Sequence, residues 1–423
     1  MNAGARTRRL TGPLKAVVAT ASVISLLFLV LPNDGALIRR TSVFALALPS
    51  IALIFLGSRP SHSRMVAALL AAGAMFLLLA RACSNSIEAL ILAGASLGVG
   101  AFLLLAAGAL ANQSSGPAPF APFGAALVLL TFSSMVGVFF KATVALAPVT
   151  YDMPLYVFDQ KLGVQISFLA GQLFTTVPLL YAVAHTGYML LAPAIGALYA
   201  ARLAKGNAHG GIIVPFAVAA IAGWIVYLVY PAAGPVYAFG TLFPFHPPSI
   251  STVQGLPLSV PDAPRNCMPS LHTAWALLIF WNARGCGFIV RLLSAVFLTL
   301  TLLATLGLGE HYLIDLVVAV PFAAAVQAVC TTSVPFVVSR RIIPSATGMS
   351  LTLAWIIALR MNLVAWLSSP TVCWALIATT VSLPLFLEIR LSRLVFVENT
   401  VSRENALRAV ARVPASLTPA ADY

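Results

Sequence analysis

The sequence predicts an all-α fold, a polytopic transmembrane helical bundle of about twelve spans with its chemistry in a core toward the C-terminal half. Three observations predict this. The 423-residue chain is 60% hydrophobic and only 8% charged, with a mean hydropathy of +0.98, which is far outside the range of water-soluble domains. Crossing about 30 Å of hydrocarbon takes roughly 20 apolar residues with closed backbone hydrogen bonding, and such runs recur between polar or Pro/Gly breaks. The Lys and Arg residues behind the net charge of +13 sit mostly between these runs, where they orient helices and meet anionic headgroups. Membrane lipids are therefore the expected partner, and nucleic acid is not.

The runs fall at 14–32, 42–57, 65–81, 89–111, 122–147, 175–202, 212–232, 270–284, 288–308, 311–334, 347–367 and 370–388. The first follows Arg6, Arg8, Arg9 and Lys15 like a signal peptide, but it has no convincing cleavage site and more spans follow, so it reads as an uncleaved helix. The sixth reads as one span, although 166–203 is long enough for two with a break near His185 and Gly187. One span there puts Arg202 with Lys205, Arg284 with Arg291, Arg340 with Arg341, and the tail arginines on one side, which positive-inside counting makes cytoplasmic, together with both termini. Arg39, Arg40 and Lys141 fall on the opposite side. A multi-pass protein of a plasma membrane of the bacterial inner-membrane kind is expected.

This arrangement leaves 148–174 and 233–269 as non-cytoplasmic segments and candidate site loops. The first carries Tyr151, Asp152, Tyr156, Asp159 and Lys161; it is too polar to span and is expected at the interface, partly helical. The chain then divides into a five-helix N-terminal region (1–147), a catalytic core (148–334), two further helices (335–393) and a polar, disordered cytoplasmic tail (394–423). No internal repeat is evident. The five cysteines show no C-x-x-C or Cys/His spacing, so neither a metal site nor a disulfide framework is expected, and only Cys267 lies near the chemistry.

That chemistry is carried by Pro269-Ser270-Leu271-His272 and by Glu310-His311-Tyr312-Leu313-Ile314-Asp315. Ionisable groups inside a membrane are functional candidates. Between His272 and His311 the chain has room for one helix inward, a basic turn and one helix back, so both histidines end on one membrane face. His311 and Asp315 are four apart, which stacks them on one helix face, where the carboxylate can hold the imidazole in one tautomer. Both helices start at that face, and their free N–H groups suit a phosphate. Ser270 is placed as N-cap or phosphate donor, and Arg265, the only Arg or Lys in 233–269, can grip phosphate oxygens.

These residues carry a family resemblance. Pro269-Ser270-Leu271-His272 resembles the PSxH motif, and His311 with Asp315 the HxxxD half of the last motif, of the type 2 phosphatidic acid phosphatase (PAP2) superfamily. The pattern, with Tyr230-Pro231-Ala232-Ala233-Gly234-Pro235, is most similar to the branch of inositol phosphorylceramide synthase-like lipid phosphotransferases, over roughly 150–334. The resemblance implies His311 as the nucleophile that forms a phosphohistidine, Asp315 as its orienter, His272 as general acid and Ser270 on the phosphate. It departs from the family in lacking KxxxxxxRP and in having Thr305 where an Arg is expected six residues before His311. Arg265, and less directly Lys161, are the proposed substitutes. The substrate is then a phosphorylated lipid (phospholipid, sphingolipid or polyprenyl phosphate), with water or a lipid or sugar alcohol as acceptor, and no cofactor or metal is required.

Other residues have plainer readings. Glu310 reads as a mouth-lining carboxylate, Tyr230 and Tyr237 as interface aromatics, and His185, His246 and Arg360 as packing or interfacial groups. Asp159 and Lys161 fit a headgroup site and a solvated pair equally well. A twelve-helix transporter of lipid or solute is the alternative class, though no repeat symmetry or paired interrupted helices support it. A non-catalytic PAP2-like partner subunit is a third.

Overall fold

A computed structural model describes residues 42–83, 86–111, 120–205, 210–249, 258–260 and 263–411. The expected first helix, Arg39 and Arg40 lie outside these. Fifteen α-helices and one two-residue ladder are seen among the described residues. Among the described residues seven helices are long and apolar enough to cross a membrane, or up to eight if a bent pair counts as one, and together they define an integral membrane protein. Leu70, Leu78, Leu90, Leu179 and Phe288 point outward and exposed, as a lipid-facing surface requires.

In the N-terminal region are α1 (Ser42–Gly57), α2 (His62–Leu79), α3 (Ser86–Ala111) and α4 (Phe120–Leu146); α1 packs against α3 and α4, and α2 against α3. Then come α5 (Asp152–Lys161), α6 (Ile166–Thr176), α7 (Pro178–Met189), α8 (Leu191–Ala204), α9 (Val214–Val229), the short α10 (Pro235–Phe239), α11 (Leu271–Asn282), α12 (Phe288–Gly307), α13 (Leu313–Cys330), α14 (Ile343–Arg360) and α15 (Pro370–Ala411). At the centre stands α13, 14 of whose 18 residues are buried, with α9, α11, α14 and α15 packed around it. Strands β1 (Val149–Thr150) and β2 (Leu258–Ser259) pair antiparallel and tie the two site loops together.

Three expectations are corrected. The sixth run, 175–202, is interrupted at Leu190 between α7 and α8 rather than near His185, and at its start α6 and α7 meet at 117°. The cause is Pro178, which lacks an N–H and drives Val177 out of the helical region to φ −127° and ψ 79°. The 148–174 segment is not an interfacial skirt. Burial takes in Asp152, Met153, Leu155, Tyr156, Val157, Phe158 and Asp159, so α5 is a plug against α13. The tail is not irregular through 394–411, because α15 runs unbroken to Ala411.

Basic residues gather at one end of the bundle. Arg202 donates to the carbonyl of Asn282 at 2.6 and 2.9 Å, Lys205 to that of Gly285 at 2.7 Å, and Arg59 to that of Ala204 at 2.8 Å. Arg284 forms a two-pronged ion pair with the buried Glu388 at 2.7 and 2.8 Å, which docks α15 there. His272 stands at the other end of α11, about 15 Å away at 1.5 Å per residue. Arg360 stacks its guanidinium 3.7 Å from the centre of the Tyr151 ring, a partner that sequence did not reveal.

Candidate active site

The segment before α11 is fixed first. The Tyr227 hydroxyl donates to the carbonyl of Pro269 at 3.2 Å, and the Cys267 N–H to that of Ala232 at 3.1 Å. Ser270 then caps α11, its Oγ accepting from the Thr273 N–H at 3.3 Å. Its own N–H donates to the carbonyl of Asp315 at 3.3 Å, which joins the two motifs directly.

His311 lies just before α13 rather than on it, because the helix begins at Leu313 with Tyr312 as N-cap. Its pairing with Asp315 therefore comes from the cap geometry, not from stacking along a helix. The Asp315 Oδ2 turns back to accept from the Tyr312 N–H at 2.8 Å and stands 3.6 Å from His311 Nδ1. The main chain holds His311 from both sides, its N–H donating to the Thr305 carbonyl at 3.1 Å and its own carbonyl accepting from Ser167 Oγ at 3.1 Å. Thr305, at the position of the missing Arg, thus positions His311 through its backbone.

Two carboxylates from α5 complete the support, and no local sequence signal marks them for it. Asp159 accepts from the Leu313 N–H at 2.6 Å and the Ile314 N–H at 3.2 Å. Asp152 accepts from the Ala233 and Gly234 N–H groups at 2.8 to 3.1 Å and from the Tyr312 hydroxyl at 3.2 Å. Burial pushes both carboxyls above the usual range, and these donors oppose the shift. Gly234 is required here: its φ is +101°, and a Cβ would stand 2.7 Å from the Glu310 carbonyl carbon. The expectation that α13 offers free N–H groups to a phosphate is corrected, since Asp159 and Asp315 already occupy its first turn.

His272 faces a cavity of about 340 Å³. Its ring stacks on Tyr188 at 3.9 Å between centres. Asn266, Tyr237 and Glu310 share the polar end of the cavity, where the Tyr237 hydroxyl donates to Glu310 Oε1 at 3.0 Å. Burial raises the Glu310 carboxyl. Away from this end the lining is apolar: Phe132, Val136 and Phe140 of α4 face Phe216, Ala220 and Trp224 of α9. Glu310 and Tyr237 thus line the same cavity, and Tyr237 is also partly exposed.

The two expected phosphate cations lie elsewhere. Arg265 is buried and donates to the carbonyls of Ala147 at 3.0 Å, Ala263 at 2.6 Å and Pro148 at 3.5 Å. Lys161 donates to the carbonyls of Ala365, at 2.9 Å, and Leu367. Neither lines the cavity, and neither does any other Arg or Lys among the described residues. Main-chain carbonyls draw both side chains inward because a buried cation must find acceptors.

Residues 153–329, from α5 through nearly all of α13, match a family model described as the PAP2 superfamily. No curated protein and no solved structure matches the chain. The fold thus defines a class, an integral membrane protein, and less than half its length matches the PAP2-superfamily model. Within that class the matched segment, which holds His272, His311 and Asp315, points to phosphatase or phosphotransferase chemistry.

Proposed function

We propose that the protein is a membrane lipid phosphatase or phosphotransferase that works through a phosphohistidine on a phosphorylated lipid. The observation that carries this reading is the bond from the Ser270 N–H to the Asp315 carbonyl, which joins the segments that carry His272 and His311. His311 Nε2 attacks phosphorus as the bond to the leaving oxygen breaks, and His272 gives that oxygen a proton. Asp315 holds the Nδ1 side and stabilises the imidazolium, tightening from 3.6 Å as charge develops. An acceptor hydroxyl then loses its proton to His272, attacks phosphorus and frees His311. The acceptor is water in a phosphatase and a lipid or sugar alcohol in a phosphotransferase.

Charge favours transfer from a phosphodiester. A phosphomonoester dianion needs cations, but the cavity presents Glu310 and no Arg or Lys. A monoanionic diester, met by His272, the Asn266 amide and the start of α11, fits better. This agrees with the similarity to inositol phosphorylceramide synthase-like transferases. The basic end of the bundle supports a cytoplasmic assignment for that end and a non-cytoplasmic site.

Purified protein in detergent, given radiolabelled lipid monoesters, diphosphates and diesters with and without alcohol acceptors, should release a new lipid or inorganic phosphate. An acid-labile, alkali-stable label should appear on the wild type and not on His311→Ala. Turnover by His311→Ala would overturn the mechanism. Wild-type flux without turnover, retained in that variant, would favour the transporter.

A further inference from the structure

Three groups from separate segments meet beside the proposed nucleophile. Cys267 Sγ donates to Asp315 Oδ2 at 2.8 Å, and His311 Nδ1 stands 3.6 Å from that same oxygen. One ligand atom from each residue lies within 4.8 Å of the others, and all three residues are buried. Two of the polar atoms here, His311 Nδ1 and Asp315 Oδ1, are buried and have no hydrogen-bond partner. A proton shared between the imidazole and the carboxylate satisfies at most one side of this arrangement and leaves the thiol competing for the same carboxylate.

A metal ion satisfies all of it. Thiol, imidazole and carboxylate are the donor set of zinc, and tetrahedral bonds of about 2.0–2.3 Å place such donors roughly 3.4–3.6 Å apart. The 3.6 Å imidazole-to-carboxylate separation already has that value. Entry of the ion lengthens the 2.8 Å contact between Cys267 Sγ and Asp315 Oδ2 by about 0.7 Å. The main chain has little freedom to drift, since Ser270 bonds to Asp315 and Cys267 to Ala232. Three protein ligands also leave one position for water.

We propose that Cys267, His311 and Asp315 form an inhibitory zinc site. Binding releases the thiol proton to solvent and places the ion on His311 Nδ1 and the Asp315 carboxylate. The carboxylate then no longer orients His311, and the metal withdraws electron density from Nε2, so the imidazole attacks phosphorus poorly. The inhibition rests on the phosphohistidine reading; the binding does not.

The test uses full-length protein in detergent with Co²⁺ as the spectroscopic stand-in for Zn²⁺. The wild type should take up one equivalent, develop a thiolate-to-cobalt charge-transfer band in the near ultraviolet, and lose it on adding Zn²⁺. Cys267→Ser, which keeps Cys83, Cys286, Cys330 and Cys373, should lack the band, and Asp315→Asn should bind at least about tenfold more weakly. Absence of the band in the wild type, or its persistence in folded Cys267→Ser, overturns the site. If Cys267→Ser elutes as aggregate, unchanged Co²⁺ affinity in Asp315→Asn overturns it instead. In turnover assays, Zn²⁺ should suppress the wild-type rate and a chelator restore it. Cobalt binding without any turnover would sink the phosphohistidine reading and leave the metal site standing; turnover without cobalt binding would do the reverse.

Discussion

The main-chain N–H of Ser270 donates to the main-chain carbonyl of Asp315 at 3.3 Å, so the start of α11 and the first turn of α13 form one structural unit. The consequence is mechanical. A shift in either helix start moves His272 relative to His311, and residues that never touch substrate can therefore change the site.

Asp159→Ala should destabilise the protein by about 1–2 kcal/mol, because it strips the Leu313 and Ile314 N–H groups of their acceptor. Thermal unfolding in detergent measures it. Activity should fall as well, since those groups form the turn that carries Asp315. A melting temperature equal to that of the wild type would show that water replaces the carboxylate without cost.

Glu310 makes a pH test. Burial raises its carboxyl above the usual range, so the folded protein holds that proton more tightly than the unfolded chain does. The resulting stability is fully present below the unfolded value and is lost as pH rises through the folded one. Glu310→Gln has no proton to lose. Its melting temperature should therefore gain on the wild type as pH rises from the ordinary carboxylate range, and a gain by the wild type instead would mean that the site stabilises the carboxylate.

Arg265→Ala should lower stability by about 1–3 kcal/mol, since it leaves the buried carbonyls of Ala147 and Ala263 without a donor. Its KM on a phosphorylated lipid should stay within about threefold of the wild type if no phosphate contact is lost. A tenfold rise in KM with unchanged melting would restore the cationic role that the sequence suggested.

Ala220→Phe tests the cavity. Ala220 lines its apolar part about 10 Å along α9 from Tyr227. The larger ring should lower kcat/KM on long-chain lipids at least about tenfold and leave a short-chain, water-soluble analogue within about threefold. Equal losses on both would indicate a distorted site rather than a blocked chain.

Much of this protein is readable residue by residue. Helix positions follow from the length of the apolar runs, and the described helices begin and end within a few residues of most of them, because lipid admits no unpaired backbone. The break at Val177 was also available, since Pro178 bars a helical residue before it. That the starts of α11 and α13 lie at one end of the bundle, joined by the Ser270 to Asp315 bond, followed from counting helices. What the linear order hid was where cations and carboxylates would be used. Arg265 and Lys161 had the right charge for a phosphate, but buried carbonyls from distant segments took them. Asp159 fitted a headgroup site or a solvated pair equally well and Asp152 was one polar residue of a candidate loop, whereas both support the start of α13.

Composition and run length by themselves determined that the chain is a helical membrane protein, and two short motifs pointed to the segment that matches the PAP2 model, since both depend on local properties that survive without neighbours. Only the tertiary structure decided which polar groups hold one another. In a buried site each donor and acceptor must be paired, and the pairs form between segments far apart in the chain, as Cys267 with Asp315 and Asp159 with Leu313 do.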